Sequence, residues 1–155
     1  MNIPFVDLKA QYLGLKTEMD EVISEVINET AFIGGSGNKY VAAFEDNFAS
    51  YLGIDHCITC ANGTDALEIL LQAAGIGPGD EVIVPAVSWI STSEAVSSLG
   101  ATPVFVDIEE EYHCIDPDLI EAKINSNTKA IIPVHLYGCP ANMGPIMAIA
   151  EKHNL

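Results

Sequence analysis

The segment Asn62-Gly63-Thr64-Asp65-Ala66-Leu67 places a turn former, a hydroxyl and a carboxylate where an apolar helical run begins. It follows a strand-like stretch, residues 56–60, and leads into a helix predicted over residues 66–74. A strand that turns through glycine into a helix aims several unpaired backbone N–H groups at one point, and the helix dipole adds positive potential there. Such a junction suits an anion, best of all a phosphate. It equally suits an ordinary N-cap, with Thr64 or Asp65 satisfying the first turn and Gly63 making the bend, because strand–glycine–helix junctions are common in α/β proteins.

The elements that would position this segment alternate. Amphipathic spacing of Met19, Val22, Ile23, Val26 and Ile27 predicts a helix over residues 16–28, and a second is expected over residues 39–51 after the Gly34-Gly35-Ser36-Gly37 break. Strand-like runs then fall at residues 57–60, 81–84, 103–106 and 130–134. Helices are predicted between them over residues 66–74, 90–99 and 117–124, with a last one over 143–153. Gly77-Pro78-Gly79-Asp80 marks a turn, and Asp116-Pro117 a capped helix start. Short apolar strands separated by helices mean βαβ units and an α/β fold, a mainly parallel sheet with helices on both faces. The expected organisation is an N-terminal helical segment, residues 1–53, followed by the α/β part, residues 54–155. In such a series a strand should follow the last helix, so the stop at Leu155 reads as a cut at an element boundary.

In an open parallel sheet, ligands gather beyond the carboxyl ends of the strands. Those ends present Asn62-Gly63-Thr64, then Pro85 to Trp89, then Asp107, then His135-Leu136-Tyr137-Gly138. Trp89, the sole tryptophan, either offers its face to a flat aromatic ligand or packs as a core residue. His135 fits a structural role better than a catalytic one, and Asp107 can cap a turn.

Composition narrows the partners. The chain carries 22 acidic residues against six lysines and no arginine, a formal charge of −16. Nucleic acid and anionic membranes would be repelled, so backbone N–H groups must supply much of the attraction for any anionic ligand. No apolar run approaches the ~20 residues that span a bilayer, and Met1 to Asp7 lacks the layout of a secretion signal, so a cytoplasmic location is expected. Cys57 and Cys60 have C-x-x-C spacing inside a predicted strand, where they would point to opposite faces, and no second pair exists. The four cysteines are therefore read as buried free thiols, with no metal site. Gly35-Ser36-Gly37-Asn38-Lys39-Tyr40 lacks the third glycine of a dinucleotide fingerprint, and neither a P-loop nor a G-x-S-x-G elbow occurs.

Taken together, these strings resemble the amino-terminal part of the DegT/DnrJ/StrS family of pyridoxal phosphate (PLP)-dependent aminotransferases, which act on nucleotide-linked keto sugars. The resemblance runs through Phe5-Val6-Asp7-Leu8, Phe32-Ile33-Gly34-Gly35, Phe48-Ala49-Ser50-Tyr51-Leu52-Gly53 and Asn62 to Leu67. It continues through Gly75 to Ile83, Gly100 to Asp107 and Thr128 to Gly138. It implies the large domain of aminotransferase fold type I, incomplete at the C-terminus. It also implies PLP as cofactor, its phosphate on Gly63 and Thr64 with Asp65 adjacent, and Trp89 stacked on its ring. A nucleotide-sugar substrate, an amino donor such as glutamate and a homodimer with shared active sites are further implications. Asn62 replaces a residue that is often Ser in the family, and Asn127 one that is often Arg. No catalytic residue transfers, because the family's Schiff-base lysine and pyridinium aspartate fall at positions past Leu155; Lys9, Lys16, Lys39, Lys123, Lys129 and Lys152 match no Schiff-base motif. A sugar dehydratase of the same fold, or a non-catalytic paralogue that binds a phosphate ligand or a partner subunit, stands as the alternative.

Overall fold

A computed structural model describes residues 4–155, apart from the side chain of Ser36. Met1 to Ile3, part of the segment read for a secretion signal and of the 1–53 helical segment, lie outside the described residues. The chain divides into two compact units, one ending at Thr59 and the other running Cys60–Leu155.

In the first unit, α1 spans Leu8–Asn28 and α2 spans Lys39–Leu52. Helix α1 starts eight residues before the predicted 16–28, because the Asp7 carboxylate accepts from the Ala10 N–H at 2.9 Å and caps the helix there. Asn38 caps α2 in the same way through the Tyr40 N–H, and Gly53, in the left-handed conformation, closes it. Lys39 and Tyr40 both reach the Glu29 carboxylate, at 2.7 and 3.1 Å, which ties the start of α2 to the end of α1.

The predicted strand at 57–60 does not form. Thr59 gives its backbone N–H and its hydroxyl to the Glu45 carboxylate, at 2.9 and 2.8 Å, so side-chain bonds occupy the backbone that a ladder would need. The opposite-face argument for Cys57 and Cys60 lapses with that strand.

The second unit begins with α3 (Gly63–Ala73) and continues through β1 (Glu81–Pro85), α4 (Ser91–Ser98) and β2 (Thr102–Val106). Next come α5 (Pro117–Ile120), running into a 3-10 turn at Glu121–Lys123, then β3 (Thr128–Ile131) and α6 (Met143–His153). The sheet is parallel with order β2-β1-β3, and β1 is central. Because side chains alternate along a strand, β1 feeds two cores. Val82 and Val84 pack with Leu71, Ala95 and Val96 from α3 and α4, while Ile83 packs with Ile120 and Ile146 from α5 and α6. Helices thus cover both faces, as the alternation predicts. Gly100 turns α4 into β2 at φ +75°, where an added Cβ would lie 3.1 Å from the Pro78 ring.

Candidate functional site

The first turn of α3 is capped by neither Thr64 nor Asp65. Asn62, in extended conformation, accepts from the Asp65 N–H through Oδ1 at 2.9 Å, and its backbone carbonyl accepts from Ala66 at 3.1 Å. This bond uses the third donor of the helix and leaves the Gly63 and Thr64 N–H groups without a helical acceptor. Gly63 is exposed, and a Cβ built on it meets nothing within 4 Å, so the space before those donors is open. An oxyanion fits there: two backbone donors, the positive end of the α3 dipole and no side chain in the way. The Asp65 carboxylate, in the first turn, complements the same dipole.

The Thr64 hydroxyl donates to Ser91 Oγ at 2.8 Å. Ser91 opens α4, so this half-buried bond joins the N-terminus of α3 to that of α4 across the carboxyl end of β1. Ser88 and Thr92 share a second hydroxyl bond at 2.8 Å, which braces the loop carrying Trp89. Trp89 itself is 78% exposed and is not a core residue. Its ring lines a cavity of about 600 Å³ together with Val87, Ser88, Tyr112, His113, Leu136 and Tyr137. Gly63, Thr64 and Asp65 do not line that cavity, so the open turn of α3 and the aromatic surface do not share one enclosure.

Two walls of the cavity are strained. His113 and Tyr137 hold φ values of +61° and +51°, a region costly for residues other than glycine. The His113 turn is fixed by Glu109, whose carboxylate accepts the N–H groups of Glu111, Tyr112 and Cys114 between 2.7 and 3.2 Å. Those bonds, the Tyr112 N–H foremost, hold the Glu109 carboxyl below its usual range. The Tyr137 turn is held by His135, whose Nδ1 accepts from the Ala141 N–H at 3.0 Å. His135 is therefore a structural residue here. Asp107 accepts from the next residue's N–H at 2.8 Å and shapes the start of the 108–115 excursion.

The sequence reading passed over Ser91, Tyr112 and His113. Ser91 falls in the helix expected over residues 90–99, two residues past Trp89, and Tyr112 and His113 lie on an excursion after β2 of which the sequence marks only Asp107. Of the cysteines, only Cys114 is buried; Cys60 is exposed and Cys57 and Cys139 are half-buried, which corrects the expectation of buried thiols throughout. Among the described residues no three His, Cys, Asp or Glu side chains converge to hold a metal ion, and no helix is long and apolar enough to cross a membrane.

Comparison with known proteins is consistent along the chain. Residues 14–155 match the model of the DegT/DnrJ/EryC1/StrS aminotransferase family. A UDP-N-acetyl-3-dehydro-alpha-D-glucosamine 3-aminotransferase of Acidithiobacillus ferrooxidans is 48% identical over 153 residues, 99% of this chain and 41% of its own length. The crystal structure of DesV from S. venezuelae superposes with a TM-score of 0.91 at 43% identity, covering 99% of this chain and 40% of DesV. NtdA from Bacillus subtilis, solved with bound cofactor PMP, gives 0.92 at 38% identity, covering 99% of this chain and 35% of its own. The chain thus spans about two-fifths of the length of the curated relatives it matches.

Proposed function

Because the chain belongs to the DegT/DnrJ/EryC1/StrS aminotransferase family, we propose that it is the amino-terminal portion of a PLP-dependent aminotransferase acting on a nucleotide-linked keto sugar. The observation that carries this reading is the open first turn of α3. Gly63 and Thr64 hold the cofactor phosphate through their backbone N–H groups, and Asn62 and Ser91 keep that turn in place. Asp65 stabilises the turn from within, and Trp89 supplies the flat apolar face for the cofactor ring. The bound cofactor supplies the electron sink that amine transfer needs. The residues of this chain bind and orient; they neither form the covalent link to the cofactor nor move its protons. With no arginine in this chain, the phosphate relies on backbone dipoles.

The whole protein, on this reading, takes its amine from a donor such as glutamate, assembles as a homodimer and works in the cytoplasm. Residues 1–53 form its N-terminal helical segment and residues 54–155 the first part of its cofactor-binding domain.

The test uses pyridoxamine 5′-phosphate, which has no aldehyde to react with surface lysines. Trp89 emission, the only tryptophan signal in this chain, should quench saturably with it and not with pyridoxamine, and Thr64→Val should weaken the binding about tenfold. Unchanged emission at millimolar concentration, or equal quenching by the phosphate-free amine, would overturn the assignment.

A further inference from the structure

One feature of the Trp89 cavity is independent of the cofactor. Cys114 directly follows the wall formed by Tyr112 and His113, and Cys139 lies two residues past Tyr137 on the other wall. The Cys114 thiol donates to the Cys139 carbonyl at 3.4 Å, which sets the two cysteines side by side. Both residues sit on braced turns: the Cys114 N–H is held by Glu109 at 3.2 Å, and the Cys139 N–H by the Leu136 carbonyl at 2.9 Å. Two cysteines brought into contact on fixed backbones meet the first requirement of a disulfide, which is proximity.

We propose that Cys114 and Cys139 are a thiol–disulfide exchange site for a small-molecule disulfide, and that oxidation clamps the two walls of the Trp89 cavity together. Cys139, half-buried, meets the reagent first, and Cys114, 3% exposed, resolves the adduct. With oxidised glutathione the steps balance. The Cys139 thiolate attacks one sulfur and expels a glutathione thiolate. Deprotonated Cys114 then attacks the Cys139 sulfur of the mixed disulfide and expels the second. Two protein thiols are oxidised and one disulfide is reduced to two thiols.

The environment sets the rate. Burial, then the Cys114 thiol beside it and the Glu109 carboxylate, push the Cys139 thiol up; Tyr112 is the other titratable group facing it. Exchange therefore accelerates about tenfold per pH unit through the neutral range, in step with the thiolate fraction.

Native protein is incubated with oxidised glutathione until the exposed Cys60 is converted, then alkylated, digested and mapped by mass. The expected product is a peptide pair joined through Cys114 and Cys139, formed faster at higher pH, with a change in Trp89 emission that a reductant reverses. Recovery of both residues as alkylated thiols, or a glutathione adduct left on Cys139, would overturn the exchange site. A crosslink that leaves Trp89 emission unaltered would overturn the clamp.

Discussion

The two units carry helices of similar amphipathic pattern and hold them in different ways. In the sheet unit, α3 to α6 press their apolar faces onto β1, and fourteen of the fifteen buried apolar residues among those described lie there. In the N-terminal unit, α1 has no buried residue and α2 has only Ala49. Its helices are fixed at their ends instead, by the Asp7 and Asn38 caps and by the Lys39–Glu29 pair. The difference bears on the proposed function because the open turn of α3 and Trp89 are both mounted on the packed unit. Their positions are set by the core and not by surface bonds of small individual worth.

The largest effect expected from this contrast is in the centre of the sheet. Ile83→Ala removes a side chain with no solvent exposure from between α5 and α6 and should cost about 2–5 kcal/mol. Urea unfolding followed by the emission of Trp89, which lies in the sheet unit, measures it. A loss below about 1 kcal/mol would mean that the core is looser than its burial indicates.

An intermediate effect belongs to the α3 turn. Asn62→Ala deletes the cap that selects which donors remain open and should cost about 0.5–2 kcal/mol. The same variant should weaken pyridoxamine 5′-phosphate, because the unpaired Asp65 N–H lets the first turn fray. Lost stability with unchanged affinity would separate the cap from the site.

A smaller effect tests the other unit. Val22 is half exposed on the apolar stripe of α1 that also holds Leu15, Met19 and Ile23. Val22→Ala should change stability by no more than about 0.5 kcal/mol, as at any exposed helical position. A loss approaching that of Ile83→Ala would break the comparison by showing that this stripe is buried in solution.

These regions also differed in how far the sequence could be read. Periodicity located β1 and β2 and the span of α6 because strands and helices that pack on a sheet must repeat their apolar positions. It located the apolar stripe of α1 but not its start, which depends on one carboxylate at Asp7 and on no pattern. The run at 57–60 has strand-like composition, yet a strand exists only with a ladder partner, and Glu45 captures Thr59 first. The open turn before α3 was legible from its glycine and the apolar helical run behind it, although the strand expected to lead into it does not form. Its cap was misassigned because Asn62, Thr64 and Asp65 are all good capping residues and only the backbone at Asn62 decides among them. Ser91, Tyr112 and His113 were missed because the bonds and cavity that involve them join positions far apart in sequence.

The smallest expected effect compares two exposed, ion-paired carboxylates, one in each unit. Glu29 is held below the usual 4.5 chiefly by Lys39, and Glu121 chiefly by Lys152 and then by His153. A carboxylate depressed in the folded state contributes stability above its unfolded value, and that contribution disappears as pH falls through the folded one. Both carboxylates therefore support their units at neutral pH and lose that effect progressively from about pH 5 downward. Glu121→Gln should flatten the acid side of the Trp89-monitored stability profile, because the Glu121 pairs link α6 to the turn after α5. Glu29→Gln should leave that profile unchanged and lower only the helical signal at 222 nm, roughly the band where backbone helix dominates. Exposed pairs are weak and screened, so both changes should shrink further in high salt. An equal response of Trp89 to the two substitutions would mean that the capped helices and the packed sheet unfold as one, and the division between them would then be geometric and not energetic.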